Sequence, residues 1–292
     1  MNTEVESIVA DEWQKWSDQP PQLIRPLAGG LTNLNYLIQT GSEQLVLRVN
    51  APNSRDLDLN RAAEAEALQQ ATGRNLCAPL VYFDPAHRYL LTQFVDGAPL
   101  DLNQPRAFSQ LAQLLRQIHQ LPPISVQLDI AGKADRYWQS IDRNADFFPA
   151  LAQLHQWMEP QLERSSAPPE NDRLCHNDLL PDNLLLDMSG QLRAIDWEYA
   201  ACGDPFFDLA TVSIGYNLDR KKQQALLTEY LLRPACEDDL DKLDHWKRIY
   251  RYLSALWYAV QISHSPGAAS PQIERSALYT EINELLASFI RL

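Results

Sequence analysis

The chain has 292 residues, 45% hydrophobic and 22% charged, which is long enough for two packed cores and too apolar for a disordered segment. A formal net charge of −13 argues against a nucleic-acid partner, which needs concentrated Lys and Arg, and is compatible with a cationic small molecule. Cys77, Cys175, Cys202 and Cys236 show no metal spacing, the amino terminus lacks a basic start and apolar core, and no stretch reaches the roughly eighteen apolar residues of a membrane span, so a reduced, cytoplasmic protein, neither exported nor inserted, is expected.

Residues 4–17 are expected to form a helix carrying Trp13 and Trp16, and about 23–50 read as three strands. Between the first two strands runs Leu27-Ala28-Gly29-Gly30-Leu31-Thr32-Asn33-Leu34-Asn35-Tyr36. Two glycines after a strand let the backbone approach a phosphate chain and present N–H donors; an ordinary hairpin turn uses the same pair, and neither a Walker nor a Rossmann pattern accompanies it. Arg48 lies in the third strand, Val46-Leu47-Arg48-Val49, and Glu64 in a helix expected over 56–71 and stopped by Gly73. Two further strands, near 80–83 and 89–94, complete an antiparallel sheet with a helix packed on it. An Arg48–Glu64 pair is open to two readings: a phosphate-facing guanidinium with permanent charge, or a surface ion pair of little worth.

Val95-Asp96-Gly97-Ala98-Pro99 is the compact Gly/Pro break before a long helical half, and residues 93–98 are read as a hinge. Pro105 is expected to open the next helix with Asn103 as its cap, and Phe108, Leu111, Leu115 and Ile118 repeat at helical spacing, with His119 a helix-end residue rather than a ligand. A polar loop over 165–171 leads into a strand and then to the most informative stretch of the chain.

That stretch reads His176-Asn177-Asp178-Leu-Leu-Pro-Asp-Asn183, then Ala194-Ile195-Asp196-Trp197-Glu198-Tyr199-Ala200, and ends Asp204-Pro205-x-x-Asp208. Apolar runs on either side of Met188-Ser189-Gly190 predict a tight hairpin presenting Asn183 and Asp196 at one end. Asp-x-x-x-x-Asn followed by a second aspartate past a hairpin is the spacing of a kinase centre, in which Asp178 accepts the proton of an attacking hydroxyl while Asn183 and Asp196 hold magnesium between them and the phosphates. Magnesium prefers oxygen ligands, and a carboxylate and an amide completed by phosphate oxygens suffice. Taken singly, each residue also fits turn chemistry. His176 is read as packing the loop rather than carrying a proton.

Beyond Asp208 the chain reads almost wholly helical, with Glu237-Asp238-Asp239 a solvated helix start. Trp246, Tyr250, Leu253 and Trp257, spaced four, three and four apart, share one helical face. Such a stripe is either core packing or an aromatic cage for a cation.

These segments resemble the aminoglycoside phosphotransferase and choline kinase superfamily, and most closely bacterial choline/ethanolamine kinase-like and thiamine kinase-like proteins. The resemblance implies an α+β, two-lobed protein-kinase-like fold: a small antiparallel-sheet, nucleotide-binding lobe (residues 1–95) and a large, mostly helical catalytic and substrate-binding lobe (residues 96–292). It implies ATP and magnesium as cofactors, with Gly29, Gly30, Thr32, Asn33, Arg48 and Glu64 at the phosphates and Gln93, Phe94 and Val95 at the adenine. Asp178 is then the catalytic residue, and Glu198, Tyr199 and Trp257 join it at the acceptor, a cationic alcohol such as choline or ethanolamine. The chain departs from choline kinases twice: Ser254 stands where a further aromatic is usual, and Gly215 where a carboxylate is usual. Thiamine is therefore the competing acceptor, ahead of an aminoglycoside or a sugar, and a nucleotide-binding pseudokinase is the alternative outside catalysis.

Overall fold

In the computed structural model, residues 3–27, 33–51, 57–165, 172–264 and 275–290 are described. Helix α1 (Thr3–Asp11) is followed by strands β1 (Gln22–Pro26), β2 (Leu34–Thr40) and β3 (Glu43–Val49), helix α2 (Arg61–Gly73), and strands β4 (Leu80–Phe83) and β5 (Tyr89–Gln93). The five strands make one antiparallel sheet in the order β1-β2-β3-β5-β4. Alternation along β3 decides what each face does. Leu45, Leu47 and Val49 join Val5 and Ile8 of α1, Ile38, Tyr89 and Leu91 in one core, while Val46 and Arg48 turn to the opposite face, where a cavity opens.

The chain then runs through β6 (Gly97–Pro99), α3 (Ala107–Ile118), α4 (Ile130–Gln139), α5 (Phe148–Ser165), β7 (Arg173–Cys175), β8 (Leu184–Asp187), β9 (Leu192–Ala194) and β10 (Ala201–Gly203). Helices α6 (Phe206–Gly215), α7 (Arg220–Leu231), α8 (Glu237–Ser263) and α9 (Arg275–Ile290) complete it. This is a protein-kinase-like architecture, a sheet unit followed by a mainly helical one. The main core is continuous from α2, through Ala63, Ala67 and Leu68, to the buried face of α8, so α2 packs into the helical unit as well as onto the sheet. No helix among the described residues is long and apolar enough to cross a membrane.

Several element ends differ from the sequence reading. The first helix stops at Asp11, short of 17, and continues as a 3-10 turn over Trp13–Lys15. Glu12 leaves the helix there because its carboxylate is drawn to the sheet, where it accepts from Arg88 Nη1 and Nη2, each at 2.8 Å, and from Tyr89 Oη at 2.9 Å. Helix α2 starts at Arg61, not 56, because Asn60 caps it by accepting from Ala63 N at 3.1 Å. Asn103 caps nothing: its amide bonds Asp101, and α3 starts at Ala107 after Arg106, whose φ is 97°. Of the acidic start of α8, Glu237 and Asp238 are solvated, but Asp239 is buried, pairing with Arg233 and accepting from Cys236 N at 2.9 Å.

Hydrogen bonds from Arg88, then Lys15, hold the Glu12 carboxyl at about 2, well below its ordinary 4.5. A depressed carboxyl stabilises the fold above its unfolded-state pKa and loses that contribution as pH falls from about 4.5 to about 2. Glu12→Gln is expected to cost about 1 kcal/mol at neutral pH, the low end for charge-assisted bonds because Arg88 is 40% exposed. Chemical denaturation at pH 7 and pH 3 checks this: the gap between wild type and variant should narrow at pH 3, and an equal gap at both would assign the loss to packing.

Candidate active site

The loop after β7 is held from below by one carboxylate. Asp208, fully buried at the start of α6, accepts from His176 N at 2.9 Å and Asn177 N at 2.6 Å. Its Oδ2 also meets His119 Nε2 at 3.0 Å, and His119 Nδ1 faces Tyr230 Oη at 2.8 Å, so His119 is the helix-end residue the sequence suggested. His176 is buried against Trp197, with Nε2 on Ile195 O at 3.0 Å. Asn177 and Asp196 take positive φ, 65° and 63°, a strained backbone for non-glycine residues. The surrounding bonds sustain it: Asn177 Nδ2 donates to Tyr199 O at 3.0 Å, and Ile195 N to Asn183 O at 2.9 Å.

The hairpin forms as expected, Leu184 pairing with Ala194, and its open end carries Asn183 and Asp196. Asn183 Nδ2 donates to Asp178 O at 2.8 Å and Asp178 Oδ2 at 3.0 Å. The amide nitrogen is thereby committed to the aspartate, which leaves Oδ1 as the atom for a hard cation.

Above the loop lies a buried ion network that crosses from the sheet to the segment after β9. Arg48 meets Glu64 Oε1 at 2.6 Å and Asp196 Oδ1 at 2.9 Å, and donates to Asn50 Oδ1 at 3.1 Å. Arg61 meets Glu64 Oε2 at 2.9 Å, Glu198 Oε2 at 3.0 Å and Asn33 Oδ1 at 3.2 Å. The Arg48–Glu64 pair is not the surface pair that was one of its two readings. Arg61, not foreseen as a site residue, was detectable as a guanidinium one helical turn before Glu64. Asn33, expected at the phosphates, does not line the cavity: it is buried and donates to Glu198 Oε2 at 2.7 Å. Gly29, Gly30 and Thr32 lie outside the described residues.

Three carboxylates, Asp196, Glu198 and Glu64, thus face two guanidinium groups, and a fourth, Asp178, lines the same cavity. Burial pushes the Asp178 carboxyl well above its ordinary range, and the charges of Asp196 and Glu198 push it further. Burial and Asp196 likewise raise Glu198. Asp196 is raised by burial against the opposing pull of Arg48. This surplus of negative oxygen fits a divalent cation, which reverses the local field at those atoms.

Arg48, Glu64, Asp178, Asn183, Asp196, Glu198, Tyr199 and Trp257 line one cavity of about 760 Å³, as do Gln93, Phe94 and Val95. Of the latter, Gln93 N and Phe94 N already donate to Pro79 O and Gln44 O, both at 2.9 Å. At the opposite end the stripe on α8 divides. Trp246 is core, 7% exposed and edge-on to Phe207, whereas Tyr250, Leu253, Ser254 and Trp257 line the cavity. Trp257 Nε1 donates to Tyr199 Oη at 2.9 Å, tying two predicted acceptor residues into one wall. Lys133 and Tyr137 of α4, absent from the sequence reading, stand beside them.

Residues 23–246 match the model of the phosphotransferase enzyme family. The chain is 28% identical over 213 residues to protein LicA of Haemophilus influenzae, covering 69% of this chain and 61% of that protein. It is 34% identical over 128 residues to a thiamine kinase of Escherichia coli, which is 43% of each. The structure of choline kinase LicA from Streptococcus pneumoniae superposes with a TM-score of 0.76 at 20% identity, covering 98% of this chain and 99% of that one.

Gly215, where the resemblance would place a carboxylate, ends α6 against the catalytic loop: a Cβ there would lie 2.7 Å from Pro181 Cδ and 3.1 Å from Leu180 Cδ2. Gly215→Ala is expected to cost about 1–3 kcal/mol through overpacking, read as a lower thermal midpoint. An unchanged midpoint would show that Pro181 moves aside freely.

Proposed function

The chain belongs to the phosphotransferase enzyme family, and from that premise we propose that it is a small-molecule kinase, transferring the γ-phosphoryl group of ATP, with magnesium, to the primary hydroxyl of a small cationic alcohol. Choline or ethanolamine is the first acceptor considered and thiamine the second. The observation that carries the reading is the meeting, in one cavity, of Asp178, Asn183 and Asp196 with the aromatic wall of Tyr199, Tyr250 and Trp257.

In this reading the hydroxyl sits against the Asp178 carboxylate, which takes its proton as the oxygen bonds to the γ-phosphorus and the bond to the β–γ bridging oxygen breaks, releasing ADP. Asn183 Oδ1 and Asp196 would hold the metal, which when bound neutralises the phosphate oxygens. Arg48, fixed by Glu64, faces the phosphates together with Gly29, Gly30 and Thr32. Asn33 acts one step removed, by holding Glu198. The adenine lies where residues 1–95 meet 96–292, with Val95 supplying the hinge donor because the amides of Gln93 and Phe94 are engaged. A cytoplasmic setting fits the four free thiols.

Thiamine is kept because a specific observation favours it: the wall of the acceptor end includes a cation of the protein's own, Lys133, 5.1 Å from the Tyr199 ring centroid. The test is ADP release with magnesium over choline, ethanolamine, thiamine, an aminoglycoside and a sugar. Turnover with the aminoglycoside or sugar alone would displace the reading, and no turnover with any acceptor would favour a pseudokinase.

Asp178→Asn is expected to lose about 10²–10⁴ in kcat with ATP binding retained, the scale of general-base catalysis. Near-normal turnover would remove Asp178 from the mechanism. Asn183→Ala and Asp196→Ala should each shift the magnesium dependence of nucleotide binding to higher concentration, and titrations superimposable on wild type would refute the metal assignment.

A further inference from the structure

Lys133 is buried on α4, and its ammonium stands over two rings at once, 5.1 Å from the centroid of Tyr137 and 5.1 Å from that of Tyr199. A cation is held by a ring face at this distance. Nζ also lies 3.1 Å from Asp58 Oδ2 and donates to Asp58 O at 3.3 Å. Asp58 does not serve Lys133 alone, since Arg136 forks onto the same carboxylate through Nε at 2.7 Å and Nη2 at 3.0 Å. Arg136 also lies 3.6 Å from Asp129 Oδ2, so Asp58 and Asp129 face Lys133 and Arg136 between them, and Lys133 brings an ammonium to the cavity wall. The rings cannot easily turn away: Tyr137 Oη donates to Leu57 O at 3.0 Å, and Tyr199 Oη holds Trp257 Nε1.

We infer that Lys133 is a specificity-determining residue: its ammonium fills the ring-face position at Tyr137 and Tyr199 that a trimethylammonium group would occupy, and selects alcohols whose end remote from the hydroxyl accepts a hydrogen bond. The inference rests on the alcohol-kinase reading above and narrows its acceptor. A compact cation brought between these rings meets a like charge in a desolvated site, which opposes binding. Nζ also donates to Tyr137 Oη at 3.5 Å, and a ring nitrogen, carbonyl or carboxylate at the same place instead receives a charge-assisted hydrogen bond from Nζ in exchange for that long contact. Tyr250, Leu253 and Tyr258 continue the wall as broad ring and apolar surface that suits a planar group. Of the cationic alcohols considered, thiamine meets these demands through its aminopyrimidine, and choline does not.

The wild-type enzyme tests this without a mutation. Choline is compared with 3,3-dimethylbutan-1-ol, which has the same shape with carbon in place of nitrogen. The neutral analogue should match or exceed choline in kcat/KM, and thiamine should exceed both by about tenfold or more, the scale of one good polar contact. Choline preferred to its neutral isostere by about tenfold, the signature of a working cation cage, would overturn the inference. Lys133→Met, which keeps the stem's packing and leaves Asp58 with Arg136, should lower the thiamine-to-choline ratio by about tenfold or more, while Lys133→Arg keeps it. An unchanged ratio in folded Lys133→Met would also overturn it. Each comparison is repeated as equilibrium binding in the presence of ADP. Absence of turnover with every alcohol then counts against the proposed function, while the order of affinities still decides the role of Lys133.

Discussion

Two arginines buried among carboxylates set the geometry of everything around them. Each buried ion costs several kcal/mol to desolvate, and that cost is recovered only where hydrogen bonds are complete on every side. Arg48 and Arg61 approach this condition by sharing Glu64 between them and dividing Asp196 and Glu198. The sheet, α2 and the segment after the hairpin are thus fastened at one point, and the loop after β7 and the cavity lie around it. Removing any one member would strand a buried charge, so the site and the fold cannot be separated energetically.

The catalytic loop depends on the same logic at smaller scale. Asp208 satisfies two consecutive backbone N–H groups of a loop whose residue Asn177 has left-handed φ, so the strain of the turn is borne by a fully buried carboxylate that does not line the cavity. Since His119 and Tyr230 extend that chain of contacts into α3 and α7, the loop is supported from the helical core rather than from its own sequence.

What was legible in the sequence was whatever is local. The β8–β9 hairpin, the strand pattern around Arg48, the placement of Asp178, Asn183 and Asp196, and the helical second half all follow from period and turn chemistry within a few residues. The helix ends at Asp11 and Arg61 were misplaced because a distant partner, Arg88, drew Glu12 out of line and because Asn60 caps later than composition suggests. Asn33 is placed at the phosphates by the resemblance of its turn, while the partner of its amide nitrogen, Glu198, lies 165 residues away and beyond any local pattern. Lys133 carried no signal at all: a lysine in a helix reads as solvated until folding sets it over two rings. The stripe on α8 is instructive in the same way, since spacing placed Trp246 and Trp257 on one face and only the third dimension separated core from cavity wall.

The contact between Gly215 and Pro181 couples α6 to the turn that carries Asn183. A carboxylate at position 215 is not a neutral option awaiting selection, because the ring of Pro181 occupies the space its first carbon would need. Any side chain at 215 must displace the Pro181 ring, so a change on α6 is felt in the turn that carries Asn183.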